Sequence, residues 1–178
     1  MAGHVEAQVY LGNYSQALKD NLPMSFFWYK QAALQGSYDG QYFLALAYRY
    51  GEGTDKNEEQ AFYWMSKAAN QNDDFAQYQL ANMYLQGIGT KVDASKAIEL
   101  LKQSAQQGHE LAQLKLGNLY ADGSVTPKNE SLAVFWLNKC AEQHNRVAQK
   151  NLAWMYFRGK GVDRDIPHAI KLFLSSLS

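Results

Sequence analysis

Residues 108–143 read G-H-E-L-A-Q-L-K-L-G-N-L-Y-A-D-G and then, after a loop, A-V-F-W-L-N-K-C-A-E-Q, this last run being Ala133 to Gln143. In the first half, Ala112, Leu116, Gly117 and Tyr120 follow at steps of 4, 1 and 3, which places them on one face of a helix. Gly123 falls where that helix needs a left-handed closing residue. Asn129 is placed to cap a second helix, accepting a bond from an orphan backbone N–H. That helix carries Ala133, Trp136, Leu137, Cys140 and Ala141 at i, i+3, i+4, i+7 and i+8, a core-facing stripe. The stretch therefore encodes helix, stop, cap and helix.

The same message recurs every 36 residues. Leu44, Leu80, Leu116 and Leu152 share one register, as do Tyr48, Tyr84, Tyr120 and Tyr156. Gly51, Gly87, Gly123 and Gly159 form a third, and Ala61, Ala97, Ala133 and Ala169 a fourth. A second glycine follows in three copies (Gly53, Gly89, Gly161), whereas the remaining copy has Val125. The capping register holds Asn21, Asn57, Asp93, Asn129 and Asp165, with Pro23 and Pro167 just inside their helices, where a missing N–H costs nothing. Helix pairs are expected at 38–50 with 58–70, 74–86 with 94–106, 110–122 with 130–142, and 146–158 with 166–177.

Self-similarity at this period means an array of stacked units, each unable to bury its apolar face alone. The expected fold is all-α: one α-solenoid domain, 1–178, of antiparallel helix pairs in repeats 36–71, 72–107, 108–143 and 144–178. A degenerate unit at about 3–35 precedes them, in which Gly3, Ala7, Leu11, Gly12 and Asn13 match the first helix. Trp28, Tyr29, Ala32 and Ala33 match the second; three residues are missing between the two halves, and the glycine stop is absent. The final helix carries Ile166, Ile170, Phe173, Leu174 and Leu177 without a polar outer face, so the array either continues or pairs by its end with a copy of itself.

Composition narrows the function. With 47% hydrophobic residues and 19% charged, a continuous core is expected. Seventeen basic residues balance seventeen acidic ones, which argues against a nucleic-acid partner, because phosphate binding needs a basic excess. No apolar run reaches the roughly 20 residues that span a bilayer. Met1 to Glu6 lack the basic and apolar segment of a secretory signal. The default compartment is cytoplasmic, and a periplasmic or secreted location would require a signal already removed. The single cysteine excludes an intramolecular disulfide.

Residues 108–143 closely resemble the Sel-one-like repeat, a relative of the tetratricopeptide repeat with a longer loop inside each helical pair. The resemblance covers nearly the whole chain, in four clear copies and one degenerate one. It implies a right-handed superhelix and an adaptor or scaffold that binds another protein or an extended peptide, often through a concave face lined by first helices. Many bacterial relatives act in envelope, host-contact or signalling complexes, and some antagonise toxins.

On that implication the partner-binding face is the side of the first helices away from Leu44 and Tyr48. It comprises Tyr42, Leu46, Arg49 and Tyr50, then Tyr78, Asn82, Leu85 and Gln86. Leu114, Asn118 and Asp122 continue it, and Lys150, Trp154, Phe157 and Arg158 complete it. These positions vary between copies while core positions do not. Asn13, Asn82 and Asn118 stand apart: they recur at equivalent mid-helix sites although Asn is a mediocre helix former. Their amides suit either a clamp on an extended peptide backbone or bonds to neighbouring helices or to water. Trp154, Tyr42 and Tyr78 are anchor candidates, packing between repeats being the alternative.

No catalytic residue, metal site or cofactor is expected. Cys140 aligns with Ala32, Ala68 and Ser104, which marks a small core filler rather than a nucleophile. His4, His109, His144 and His168 show no metal-ligand spacing. The Gly-x-Gly segments follow helices and lack the Lys-Ser/Thr of a phosphate loop. Some cysteine-rich relatives are associated with β-lactamase-like activity, but this chain has neither their cysteine pairs nor a Ser-x-x-Lys motif. The leading expectation is a non-catalytic protein-interaction module. Its rivals are a hydrolase with a site assembled across repeats and a self-associating protein joined through the C-terminal helix.

Overall fold

A computed structural model describes residues 2–17 and 21–177, which form ten α-helices and no strand. Met1 and Ser178, the outer bounds of the expected domain, lie outside the described residues, as does the packing of Gly3. The helices are α1 (Ala2–Ala17), α2 (Leu22–Leu34), α3 (Tyr38–Tyr50), α4 (Glu58–Ala69) and α5 (Asp74–Gln86). After them come α6 (Ala94–Gln106), α7 (Glu110–Asp122), α8 (Glu130–Glu142), α9 (Arg146–Arg158) and α10 (Ile166–Ser175). The expected first helices lie at their expected bounds; α4 ends one residue before 70 and α10 two before 177.

Two compact units divide the chain, one ending at Asp93 and one beginning at Ala94. In the first, α1, α2, α3, α4 and α5 each pack on the next in order. In the second, α6 through α10 do the same. The fold class is an all-helical solenoid of five repeats.

Local chemistry sets the helix ends. Gly51, Gly87, Gly123 and Gly159 close the first helices in the left-handed region, with φ of 75°, 70°, 73° and 67°. Asn57, Asn129 and Asp165 cap the second helices through their side chains, accepting from Gln60, Leu132 and His168 N–H. Their own N–H groups reach back to the carbonyls of Tyr48, Tyr120 and Tyr156 at 2.8–3.1 Å, pinning each loop to the helix before it.

Asn21 departs from this scheme. It precedes α2 but makes no side-chain cap bond; its φ of −131° and ψ of 38° take it out of the extended geometry that aims a capping side chain at the helix. First helices have caps of their own, on another 36-residue register: Ser37, Asp73, His109 and Asn145 accept from Gly40, Ala76, Ala112 and Ala148 N–H.

Leu44, Leu116 and Leu152 are fully buried, and Ala61, Ala97, Ala133 and Ala169 let the helices approach closely. The tyrosine register joins helices: Tyr48 meets Phe26 edge-on at 5.3 Å, and Tyr84 meets Phe62 at 5.2 Å. A glutamine tie closes two of the repeats. Gln71 Nε2 donates to Gln41 Oε1 (2.8 Å) and Gly36 O, and Gln143 Nε2 donates to Gln113 Oε1 (2.9 Å) and Gly108 O.

Where a loop carries a second glycine, that glycine presses on the preceding repeat. A Cβ on Gly53 would lie 2.1 Å from Leu22 O, one on Gly89 2.0 Å from Glu58 O, and one on Gly161 2.2 Å from Glu130 O. Beside the last contact, Lys160 and Lys128 both pair with Glu130 (3.7 and 2.8 Å), and the Lys128 hydrogen bond holds its carboxyl below the usual range.

Candidate protein-binding face

In the first unit, α3 and α5 carry one side-by-side stretch of the expected face. Tyr42 is half-buried among rings, 6.2 Å from Tyr38, 5.3 Å from Phe43 and 5.7 Å from Phe75. Burial raises its phenol pKa, and Gln79 hydrogen-bonds it. Tyr38 donates to Asp73 at 2.7 Å, which ties α3 to the start of α5. Leu46, Arg49, Tyr78 and Leu85 are partly exposed, and Asn82 is buried. Tyr50 and Gln86 stand in solvent at the helix ends, with the Arg49 guanidinium 5.4 Å from the Tyr50 ring.

The second unit carries α7 and α9. Asn118 Oδ1 accepts from Asn151 Nδ2 at 2.8 Å, so two amides face each other across the helix pair. Nearer the helix starts, Asn145 donates from Nδ2 to a Glu110 carboxylate oxygen. A hollow of about 150 Å³ lies against the amide pair, lined also by Ala121, Leu137, Met155 and Trp154. Trp154 is 51% exposed and also walls a larger, apolar hollow of about 440 Å³ shared with Lys150, Phe157, Ile170 and Phe173. Leu114 is partly exposed, whereas Asp122, Lys150 and Arg158 are exposed.

Cations gather around these rings. Lys160 Nζ sits 5.3 Å from the Trp154 centroid, and the guanidinium groups of Arg164 and Arg158 lie 5.8 and 5.9 Å from that of Phe157. The surroundings of Trp154 are thus apolar, amide-rich and edged with positive charge.

The Asn register has three different environments. Asn13 accepts from the Tyr29 hydroxyl at 2.9 Å, Asn118 from Asn151, and Asn82 is buried. Asn151 and Gln79, the amides next to the expected face, were absent from the sequence reading. They sit at matching positions two repeats apart, but Phe43 and Lys115 share that register and hide the pattern.

Cys140 is fully buried, its thiol donates to Glu110 O at 3.4 Å, and burial pushes its pKa up to about 11. That is the environment of a core filler, since a reactive cysteine needs its thiolate. Among the described residues, no group of three or more His, Cys, Asp or Glu is placed to hold a metal ion. No helix among them is long and apolar enough to cross a membrane.

The Sel1 repeat family matches residues 5–37, 39–73, 74–109, 111–145 and 146–177. Among solved structures, the chain is similar to c5321, a protective antigen of uropathogenic Escherichia coli with an SLR fold. That similarity has a TM-score of 0.94 at 28% identity and covers 99% of this chain and 38% of that one. A Sel1 repeat protein from Oxalobacter formigenes is similar with a TM-score of 0.80 at 34% identity, over 88% of this chain and 45% of that one. The chain thus spans less than half the length of either. None of the curated proteins matches it in sequence. Sel1 repeat proteins generally mediate protein–protein interaction, and their fold is typically a non-enzymatic scaffold. With five matched segments running from residue 5 to residue 177, this chain belongs to the Sel1 repeat family.

Proposed function

We propose that the chain is a non-catalytic adaptor that binds a partner polypeptide along its first helices, with the principal anchor at Trp154. The observation that carries this reading is the half-exposed indole standing between an amide pair and an apolar hollow. Large aromatics beside excluded-water pockets dominate interface energetics, and paired amides offer donors and acceptors to an extended backbone. The cations around Trp154 and Phe157 favour a partner segment that combines an apolar side chain with nearby acidic residues.

The test is affinity capture with the full chain followed by mass spectrometry, repeated with Trp154→Ala and with Asn118→Ala plus Asn151→Ala. A partner retained by the parent protein and lost from both variants, at unchanged helicity, is the expected result. A partner held equally by all three proteins places the binding surface elsewhere.

A further inference from the structure

Inside the first unit, the starts of α3 and α5 gather rings and carboxylates into one corner, and we infer that this corner receives an arginine side chain of a partner polypeptide. The corner shares no residue with the Trp154 anchor and reads the opposite charge.

The two helix starts are tied together by Asp73. Its Oδ1 accepts the Tyr38 hydroxyl at 2.7 Å and Ala76 N–H at 2.8 Å, and neither bond occupies Oδ2 of this half-buried carboxylate. In the second unit the matching tie is made without a ring, between Asn145 and Glu110. The fold therefore does not require tyrosine at position 38, where the register elsewhere holds Asp74, Glu110 and Arg146. Tyr38 adds a ring nearly parallel to Tyr42, with centroids 6.2 Å apart and 24° between planes. Phe75 stands across Tyr42 at 5.7 Å and 75°, and is 42% exposed. Position 75 is again special to this place, since the same register holds Asp39, Leu111 and Val147.

Charge decides what such a corner can hold. Asp39 is exposed in the first turn of α3, Asp73 caps α5 and Asp74 opens it. Three carboxylates outweigh the positive ends of two helices, worth roughly half a charge each. Their field reaches the rings: burial raises both phenol pKa values, Asp73 adds to the rise at Tyr38 and Tyr42, and Asp39 adds to it at Tyr38. Arg49 acts on Tyr42 in the opposite sense from two turns along α3, where it lies beside Tyr50, so the negative field is confined to the helix starts.

A guanidinium satisfies both halves of the corner at once. Its flat face stacks on an exposed ring while its N–H fork donates to Asp73 Oδ2 or to Asp39. An ammonium meets the same charge but has no plane to lay on the ring.

Chemical-shift titration of the nitrogen-labelled full chain with acetyl-Gly-Arg-Gly-amide tests this. The amides at the starts of α3 and α5 are expected to shift. The same peptide with citrulline, which keeps the planar group and loses its charge, is expected to leave them in place. Phe75→Leu and Asp39→Asn are each expected to weaken the arginine peptide about 2–5-fold, the range for a cation at an exposed ring or a surface carboxylate. Both side chains lie at the surface, and an unchanged melting temperature checks that the fold is intact. Trp154→Ala is expected to bind the peptide as the parent does, which separates this corner from that anchor. No shift at these amides up to tens of millimolar peptide overturns the inference. So does a citrulline peptide that binds equally well, an affinity that either variant leaves unchanged, or arginine binding lost in Trp154→Ala.

Discussion

Gly89→Ala isolates the contact by which one repeat seats on the next. The added methyl would lie 2.0 Å from Glu58 O and 2.8 Å from Phe62 Cβ, and relaxed contacts at such atoms stay beyond 3.0 Å. The loop or the start of α4 must therefore move by about 1 Å, and forced overpacking of this kind costs about 1–3 kcal/mol. Gly89 also has a φ of 65°, where an L-residue loses roughly 1–2 kcal/mol. The alanine recovers about 0.4–1 kcal/mol by restricting the unfolded chain. Together these give a loss of about 3 kcal/mol, or roughly 6–12 °C in melting temperature for a chain of this size. Gly87→Ala is the control: its φ is 70°, but its nearest neighbour is a Val92 methyl at 3.1 Å, so it carries the backbone cost almost alone, about 1 kcal/mol. Guanidinium unfolding followed by circular dichroism, with the slope m held in common, measures both. If Gly89→Ala is no more destabilising than Gly87→Ala, the close approach to Glu58 does not hold the repeats together.

Three further outcomes follow from the core. Gln113→Leu should destabilise by about 1–3 kcal/mol because it strips partners from Ala105 O and Gln143, whereas Gln149→Leu should be neutral or stabilising, since Gln149 Oε1 is buried with no partner among the described residues. Equal losses in urea titration would contradict the glutamine tie. Cys140, with its pKa near 11, should react with iodoacetamide at pH 8 at least about 100-fold more slowly in the native protein than in denaturant; mass spectrometry reads the labelling, and comparable rates would show the site is open. Burial, with Glu52 adding to it, raises the Tyr29 phenol from the ordinary value near 10 to about 12, so its contribution is complete below about pH 10 and is lost as pH rises through 12. Tyr29→Phe should flatten stability against pH in that window, and an unchanged alkaline slope would refute it.

Helix bounds were legible because glycine and the capping residues repeat in one-dimensional register: Gly51 to Gly159 and Asn57 to Asp165 speak for themselves. Asn21 does not cap because the degenerate first unit keeps the residue but not the backbone geometry around it. The caps at Ser37, Asp73, His109 and Asn145 also lay on a 36-residue register, but a histidine among them hides the common role of accepting one N–H. The candidate site was less legible for a physical reason. Its positions differ from copy to copy, so periodicity marks where they are and not what they touch. Nothing in the sequence pairs Asn118 with Asn151 or surrounds Tyr42 with three rings; those relations exist only once neighbouring helices are set side by side.

The pressing of Gly53, Gly89 and Gly161 on the carbonyls of Leu22, Glu58 and Glu130 has a consequence for how such an array can be edited. The contact joins an absent side chain to a main-chain oxygen, so it reads nothing of the neighbour's identity. A leucine or a glutamate serves equally as the seat. At this one contact a repeat can be exchanged without finding a new complementary pair, whereas the ring contacts of Tyr48 with Phe26 and of Tyr84 with Phe62 still depend on which side chains face each other.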